Sequence, residues 1–195
     1  MEMDRSEQRN DSKPFNEIYV LTAGTFRLWC RDEHTGRGPT PNRDQQKRVT
    51  AMGAQLNAIE KGLDLSPLEP GYLAMCVQTG SLIITSGHVS TIQGVVGADV
   101  TVEQGYAAAR DCAEKILRSV HDHHGSLDGL RVLKLLGAVY SAPDFTDHHL
   151  VINGASDLLH ELFGSDLGHH ARSALGFAAL PTGVAVEIEA MFEVI

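Results

Sequence analysis

Val184, Val186, Ile188, Ala190, Phe192 and Val194 alternate with Glu187, Glu189 and Glu193 at the end of this chain. Period-two alternation sends successive side chains to opposite faces of a strand, so the run is stable only with its apolar side covered. The other side carries three carboxylates, and an arginine, Arg172, stands fifteen residues before Glu187. Two readings follow. The acidic side faces water, or Arg172 and a glutamate together hold a charged ligand.

The rest of the chain supplies elements to cover that strand. Val49, Met52, Leu56, Ile59 and Leu63 follow three-four spacing and predict a helix with that stripe buried, ended by "SPLEPG". "YLAMCV" and "SLIITSGHV" predict two strands joined by the turn "QTG". Thr101 and Gln104 form a capping box for a helix buried through Val102, Tyr106, Ala109, Cys112, Ala113, Ile116, Leu117 and Val120 and stopped by Gly125. "LRVLKLLGAVYS" is a buried strand, and Val151, Ala155, Leu158, Leu159, Leu162 and Phe163 mark a last helix, with Gly164 after it. "ARSALGFAAL" and "GVAVEIEAMFEV" close the chain as strands. This order predicts an α+β fold with helices packed on one face of the sheet. The opposite face is then solvated or covered by another subunit.

The compact domain is expected over residues 48–195, with 1–47 an extension. Its first residues, through Pro14, are polar and expected to be disordered. The apolar island "FNEIYVLTAGTFRLWC" is too small for a domain and docks on the main body or on a partner. A linker rich in Gly, Pro and charge follows it.

At 43% hydrophobic residues the chain can build a core, and its net charge of −9 opposes unspecific binding to a polyanion. Three cysteines, Cys30, Cys76 and Cys112, without CxxC spacing argue against a disulfide framework or thiolate zinc site. With no long apolar run and no secretory or transit signature, the expected location is the cytoplasm.

Ten histidines invite a metal reading, but His121 and His124 share a helix face without a third ligand at zinc spacing. No metal is expected. Ser86 in "TSGH" lacks the GxSxG elbow of a nucleophile, and Cys112 falls on a buried helix stripe. Arg172 and Glu187 remain. A guanidinium grips a planar carboxylate with two hydrogen bonds, and a glutamate can act as general base on a water. The plain alternative is a surface arginine and a solvated strand face. A tight hairpin of the closing strands would separate the two by roughly 20 Å at the usual strand rise. They serve one ligand only if those strands are not direct partners, or if neighbouring subunits contribute one each.

"GSLIITSGHVS", "HHARSALGFAALP" and "VAVEIEAMFEV" resemble signature segments of the RidA family, also called YjgF or L-PSP-type proteins. "VINGASDLLHELFG" and "DVTVEQGYAAARDCAEKIL" further resemble a less characterised branch with a helix before the first strand. The resemblance implies a chorismate-mutase-like (YjgF-like) mixed sheet and a homotrimer with ligand clefts between subunits. It implies hydrolysis of reactive enamines and imines, such as 2-aminoacrylate, to 2-keto acids and ammonia without a cofactor. By the same resemblance Arg172 grips the substrate carboxylate and Glu187 is associated with the attacking water. Ser86, Gly87 and Asn153 line the cleft, and Tyr72 is the candidate for the family's first-strand tyrosine. That tyrosine aligns with Leu73, one position off, and a common cysteine is replaced by Ala174. A non-catalytic small-metabolite-binding or stress-related interaction protein is the alternative these departures favour. An endoribonuclease, an activity attributed to some relatives, is opposed by the acidic balance.

Overall fold

The computed structural model of the protein describes residues 18–22, 25–29 and 53–195. The apolar island forms two antiparallel strands, β1 (Ile18–Thr22) and β2 (Thr25–Trp29), with Ile18 opposite Trp29. The polar start of the chain, Val49 and Met52 lie outside the described residues.

Six strands make one mixed sheet: β3 (Cys76–Thr79), β4 (Leu82–Thr85), β5 (His88–Val89), β6 (Leu130–Tyr140), β7 (Ala171–Phe177) and β8 (Val186–Val194). Their order is β3-β4-β8-β6-β7, and β5 continues the β4 side of β8. The closing strands are not partners. β6 lies between them, parallel to β7 and antiparallel to β8.

Helices α1 (Ala54–Glu60), α2 (Val102–His124) and α3 (His148–Leu167) accompany this sheet. The capping box of α2 is formed as read, with Thr101 N–H donating to Gln104 Oε1 at 2.9 Å and Gln104 N–H to Thr101 Oγ1 at 3.2 Å. Gly125 closes the helix at φ 86°, a left-handed conformation that glycine adopts without strain. Gly164, at φ 72° and ψ −178°, breaks the α3 geometry immediately after Phe163.

Val186, Ile188, Ala190 and Phe192 of β8 are buried with Leu135 and Val139 of β6 in one core with α2 and α3. Phe192 meets Phe163 of α3 at a centroid distance of 6.3 Å, joining sheet to helix. A bulge between Val132 and Lys134 adds one residue to β6. Val132 and Leu135 are thereby both buried, although they are an odd number of positions apart.

Two readings are corrected. The α1 stripe does not face the core: Ala54 and Ala58 are buried, whereas Leu56 and Ile59 are 42% and 56% exposed. Small side chains let α1 approach closely, and Asn57 Nδ2 donates to the Leu162 carbonyl at 2.8 Å. The strand read in "YLAMCV" begins only at Cys76, so residues 72–75 form a loop rather than a strand.

Small residues also set the distance between α2 and α3. A Cβ at Gly154 would collide with the Tyr106 carbonyl oxygen, and one at Gly137 of β6 with the Ile152 side chain. Across the rim of the helix pair, Glu161 receives both guanidinium nitrogens of Arg110, at 2.8 and 3.2 Å, and Lys61 Nζ at 2.9 Å. These cations hold its carboxyl down at about 2. No helix among the described residues is long and apolar enough to cross a membrane. Gly154→Ala is expected to force the helices apart at a cost of about 1–3 kcal/mol. A lower urea midpoint checks this, and an unchanged one would show that the helix pair yields freely.

Candidate functional site

Arg172 sits on β7, an edge strand, opposite Leu135 of β6, which in turn faces Ala190 of β8. All three point toward the helices, since Leu135 and Ala190 are buried there. The parallel β6–β7 pair requires a crossover, and that crossover is α3. Its passage over β7 brings Asn153 and Ser156 to the guanidinium. Arg172 Nη1 donates to Asn153 Oδ1 at 2.9 Å and to Ser156 Oγ at 3.0 Å, and Nη2 to the His149 carbonyl at 3.4 Å. No acceptor for Nε is found among the described residues, and the side chain is half-buried. The guanidinium is thus held at one edge and available at the other.

Arg172 and Asn153, each named from the sequence as a site residue, are thus brought into direct contact. Ser156 and His170 join them; strand parity puts His170 on the same face as Arg172, whereas Ser156 did not stand out in the sequence. Ser156 is 6% exposed and lies 3.1 Å from His170 Nε2. The His170 ring stacks at 5.4 Å from His160, which also meets His169 at 6.1 Å. Ser156 reads as one more core position on an apolar helix, so only the folded contacts reveal its role.

Glu187 belongs to a second group. It pairs with Ala138 of β6, three positions from Leu135. An odd separation on one strand reverses the face, so Glu187 projects from the side opposite Arg172. Two strand spacings and three residues put their Cα atoms about 14 Å apart. Within one chain they cannot grip the same small ligand. Strand order alone does not unite them.

Around Glu187 the structure gathers Ser86 and Gly87, which separate β4 from β5 along β8. A Cβ at Gly87 would collide with the Glu187 carboxylate, so the glycine leaves the space that the acid occupies. Ser86 Oγ donates to the Ala74 carbonyl at 2.7 Å, and its amide donates to that of Met75 at 2.9 Å. These bonds pin the loop that carries Tyr72. Tyr72 itself is fully exposed and Leu73 is 65% exposed. Because this segment is a loop, no strand parity decides between the two positions.

Behind Ser86, His88 is buried at 4% exposure. A carbonyl can only accept, so His88 Nδ1 carries the proton toward the Ser86 oxygen at 2.8 Å. Nε2 then accepts from the Ser119 hydroxyl at 2.7 Å. Burial, with Lys115 adding to it, lowers the His88 pKa below its ordinary value.

A cavity of about 450 Å³ adjoins the same loop, lined by Leu68, Leu73, Met75, Cys76, Ser119 and Asp122 among others. None of the six candidate residues lines it. Its charged lining groups are Glu69 and Asp122, with His123, a poor setting for a carboxylate. The Cys76 thiol there is pushed up to about 11 by burial and by Asp122, which leaves it protonated and a poor nucleophile. Among the described residues no group of three or more His, Cys, Asp or Glu could hold a metal ion.

These features define a class: a mixed α+β sheet with helices on one face and two polar groups on opposite faces. The family model described as "YjgF/chorismate_mutase-like, putative endoribonuclease" matches residues 47–188, and the chain belongs to that family. An Agrobacterium tumefaciens protein of unknown function is 36% identical, with a TM-score of 0.66 over 75% of this chain and 96% of its own. A structure described as a "putative endoribonuclease" from Shewanella oneidensis is 26% identical, with a TM-score of 0.67 over 72% of this chain and 98% of its own. Protein TCP17 of Trypanosoma cruzi is 48% identical over 101 residues, which are 51% of this chain and 63% of that protein. That match spans less than two thirds of the relative's length. The resemblance read in the sequence and the α+β class both hold.

The depressed His88 pKa has a consequence for stability. The unfolded chain takes up a proton near the ordinary value of 6.5, and the folded chain only below it. Between those values the unfolded state binds more protons, so stability rises with pH there. The contribution is complete above pH 6.5 and is lost as the pH falls. His170, also lowered chiefly by burial, adds in the same direction. The urea midpoint is expected to drop between pH 6.5 and 5, and less steeply in His88→Gln; parallel slopes would remove His88 as a cause.

Proposed function

We propose that this protein is an enamine/imine deaminase acting on small 2-amino-acrylate-type acids, working as a homotrimer with sites shared between subunits. The observation that carries the reading is the Arg172 guanidinium, oriented by Asn153 and Ser156 and open at Nε. A planar carboxylate meets such an edge with two hydrogen bonds. The opposite orientation of Glu187 supports a second copy as the source of the other half. The sheet face bearing Glu187 also leaves Val77, Leu175 and Phe177 at 54%, 47% and 40% exposure, an apolar surface suited to a further copy of the chain.

The chemistry needs little from the protein. The enamine CH2=C(NH2)–COO⁻ tautomerises to the imine CH3–C(=NH)–COO⁻, whose carbon is already electrophilic. Arg172 fixes the carboxylate, and Glu187 of a neighbouring subunit takes a proton from water as its oxygen bonds to that carbon. That proton passes to nitrogen, giving the carbinolamine. The hydroxyl then gives up its own proton, which reaches the amine by way of Glu187, and as the C=O bond forms the C–N bond breaks and pyruvate and ammonia leave. Water is consumed and nothing is oxidised. Fixing two reactants in this way is the larger part of the rate gain. No cofactor enters the reaction. The free, buried Cys76 and Cys112 suit the reducing cytoplasm, where pyridoxal-phosphate enzymes release such intermediates.

Ala174 and the exposed Tyr72 favour a second reading, a metabolite binder that does not turn over. The endoribonuclease named in the family description is opposed by the net charge of −9.

Keto-acid formation from freshly generated 2-aminoacrylate decides between these. Wild type should accelerate it, Arg172→Ala should abolish the gain, and Glu187→Gln should lose about 10²–10⁴-fold. Mixed trimers of the two inactive variants should regain about a quarter of the sites, those with both intact residues. Full activity in Arg172→Ala would end the clamp reading, and mixed trimers without recovery would end the shared site.

A further inference from the structure

The His170 ring has two fixed neighbours, and their chemistry determines its tautomer. Nδ1 faces the Gly168 carbonyl, which can only accept a hydrogen bond, so Nδ1 carries the proton. Nε2 is then an acceptor, and the Ser156 hydroxyl at 3.1 Å is its donor. With its proton committed to His170, Ser156 presents lone pairs to Arg172 Nη1 at 3.0 Å. The bonds run in one direction, from guanidinium to serine, from serine to imidazole. The two N–H bonds of Nη1 have one acceptor each, Asn153 Oδ1 and Ser156 Oγ, and Ser156 is buried, so water does not compete for it.

We propose that Ser156 and His170 are positioning residues that set the pose of the Arg172 guanidinium, and that the neutral, Nδ1-protonated form of His170 is the one that holds it. The inference rests on the carboxylate-clamp reading of Arg172.

Protonating His170 turns Nε2 into a donor. Two donors then point at the Ser156 oxygen, its own proton has lost its acceptor, and an imidazolium adjoins the guanidinium. Among the described residues, the titratable and charged groups that act on His170 are His160 on α3, His169 beside it and Arg172 on β7, with no carboxylate among them. All three disfavour a further positive charge, in keeping with a pKa lowered first by burial and then by these neighbours. Acid therefore loosens the clamp, although the ligand carboxylate stays ionised. Asn153 still holds Nη1, so the effect is a change of pose and not a loss of the side chain.

Calorimetry with 2-ketobutyrate as the probe at pH 8 and pH 5 tests this, on the full chain and on Ser156→Ala, His170→Gln and Arg172→Ala. Wild type should bind about tenfold more weakly at pH 5, the scale of one charge-assisted hydrogen bond. His170→Gln keeps an acceptor and cannot titrate, so it should bind without that step. Ser156→Ala should be weakened already at pH 8 and also lack the step. A purely structural role would lower the melting temperature of these variants and leave the wild-type pH step in place, which would overturn the inference. Wild type that fails to bind, or Arg172→Ala that binds as well as wild type, would overturn the clamp and this inference with it. Nitrogen-15 NMR of the imidazole gives a ligand-free check. The Nδ1-protonated form at pH 8 supports the relay, and the Nε2-protonated form overturns it whatever the binding results.

Discussion

The parallel pairing of β6 with β7 is the constraint on which the rest of the molecule depends. Parallel neighbours cannot be joined by a turn, so the chain must leave the sheet, cross over one face and return. α3 is that crossing. It covers the core that β6 and β8 need covered, and the same passage carries Asn153 and Ser156 to an edge-strand arginine. Had β7 and β8 formed a hairpin, no helix would be obliged to pass over Arg172. Fold and site thus share a cause.

A second consequence is the split between Arg172 and Glu187. A sheet with one face covered by helices sorts side chains by parity. Register with Leu135 commits Arg172 to the covered side, and register with Ala138 commits Glu187 to the open one. Polarity has little to do with that sorting. The arginine is tolerated beneath α3 because Asn153, Ser156 and the His149 carbonyl accept its hydrogens. The acid fits against the β4–β5 connection on the open face because Gly87, lacking a Cβ, gives it room.

Much of this was legible in the residues and some was not, for physical reasons. Thr101, Gln104 and Gly125 mark α2 because caps are local chemistry. β8 was legible because period two was maintained over its whole length. The buried side of α1 was misread because Leu56 and Ile59 were assumed to outweigh alanine. Close approach to α3 instead favours Ala54 and Ala58. The loop at residues 72–75 passed for strand because an apolar run has no way to report a missing partner. Arg172 and Glu187 were singled out by residue type and resemblance, but their opposite faces required the position of β6. Ser156 left no local signal, since its contacts cross between elements, and His170 was legible as a neighbour of Arg172 in strand parity but not as the acceptor for Ser156.

The bulge between Val132 and Lys134 acts as a phase shifter in β6. Upstream of it Val132 faces inward with Phe192. Downstream, Leu135, Gly137 and Val139 face inward, and Lys134 turns to the open side, where Nζ donates to Ser173 Oγ at 2.8 Å. If β6 kept all its residues and ran here in unbroken alternation, the lysine would enter the core, and Gly137 would leave the seat it gives Ile152. The two ends of β6 are therefore written in opposite phases and joined at Leu133. Loss of Leu133 itself would leave Val132, Lys134 and Leu135 in regular antiparallel step with Phe192, Met191 and Ala190, so β6 absorbs a one-residue change at this point, whereas the same change elsewhere in the strand turns part of it over.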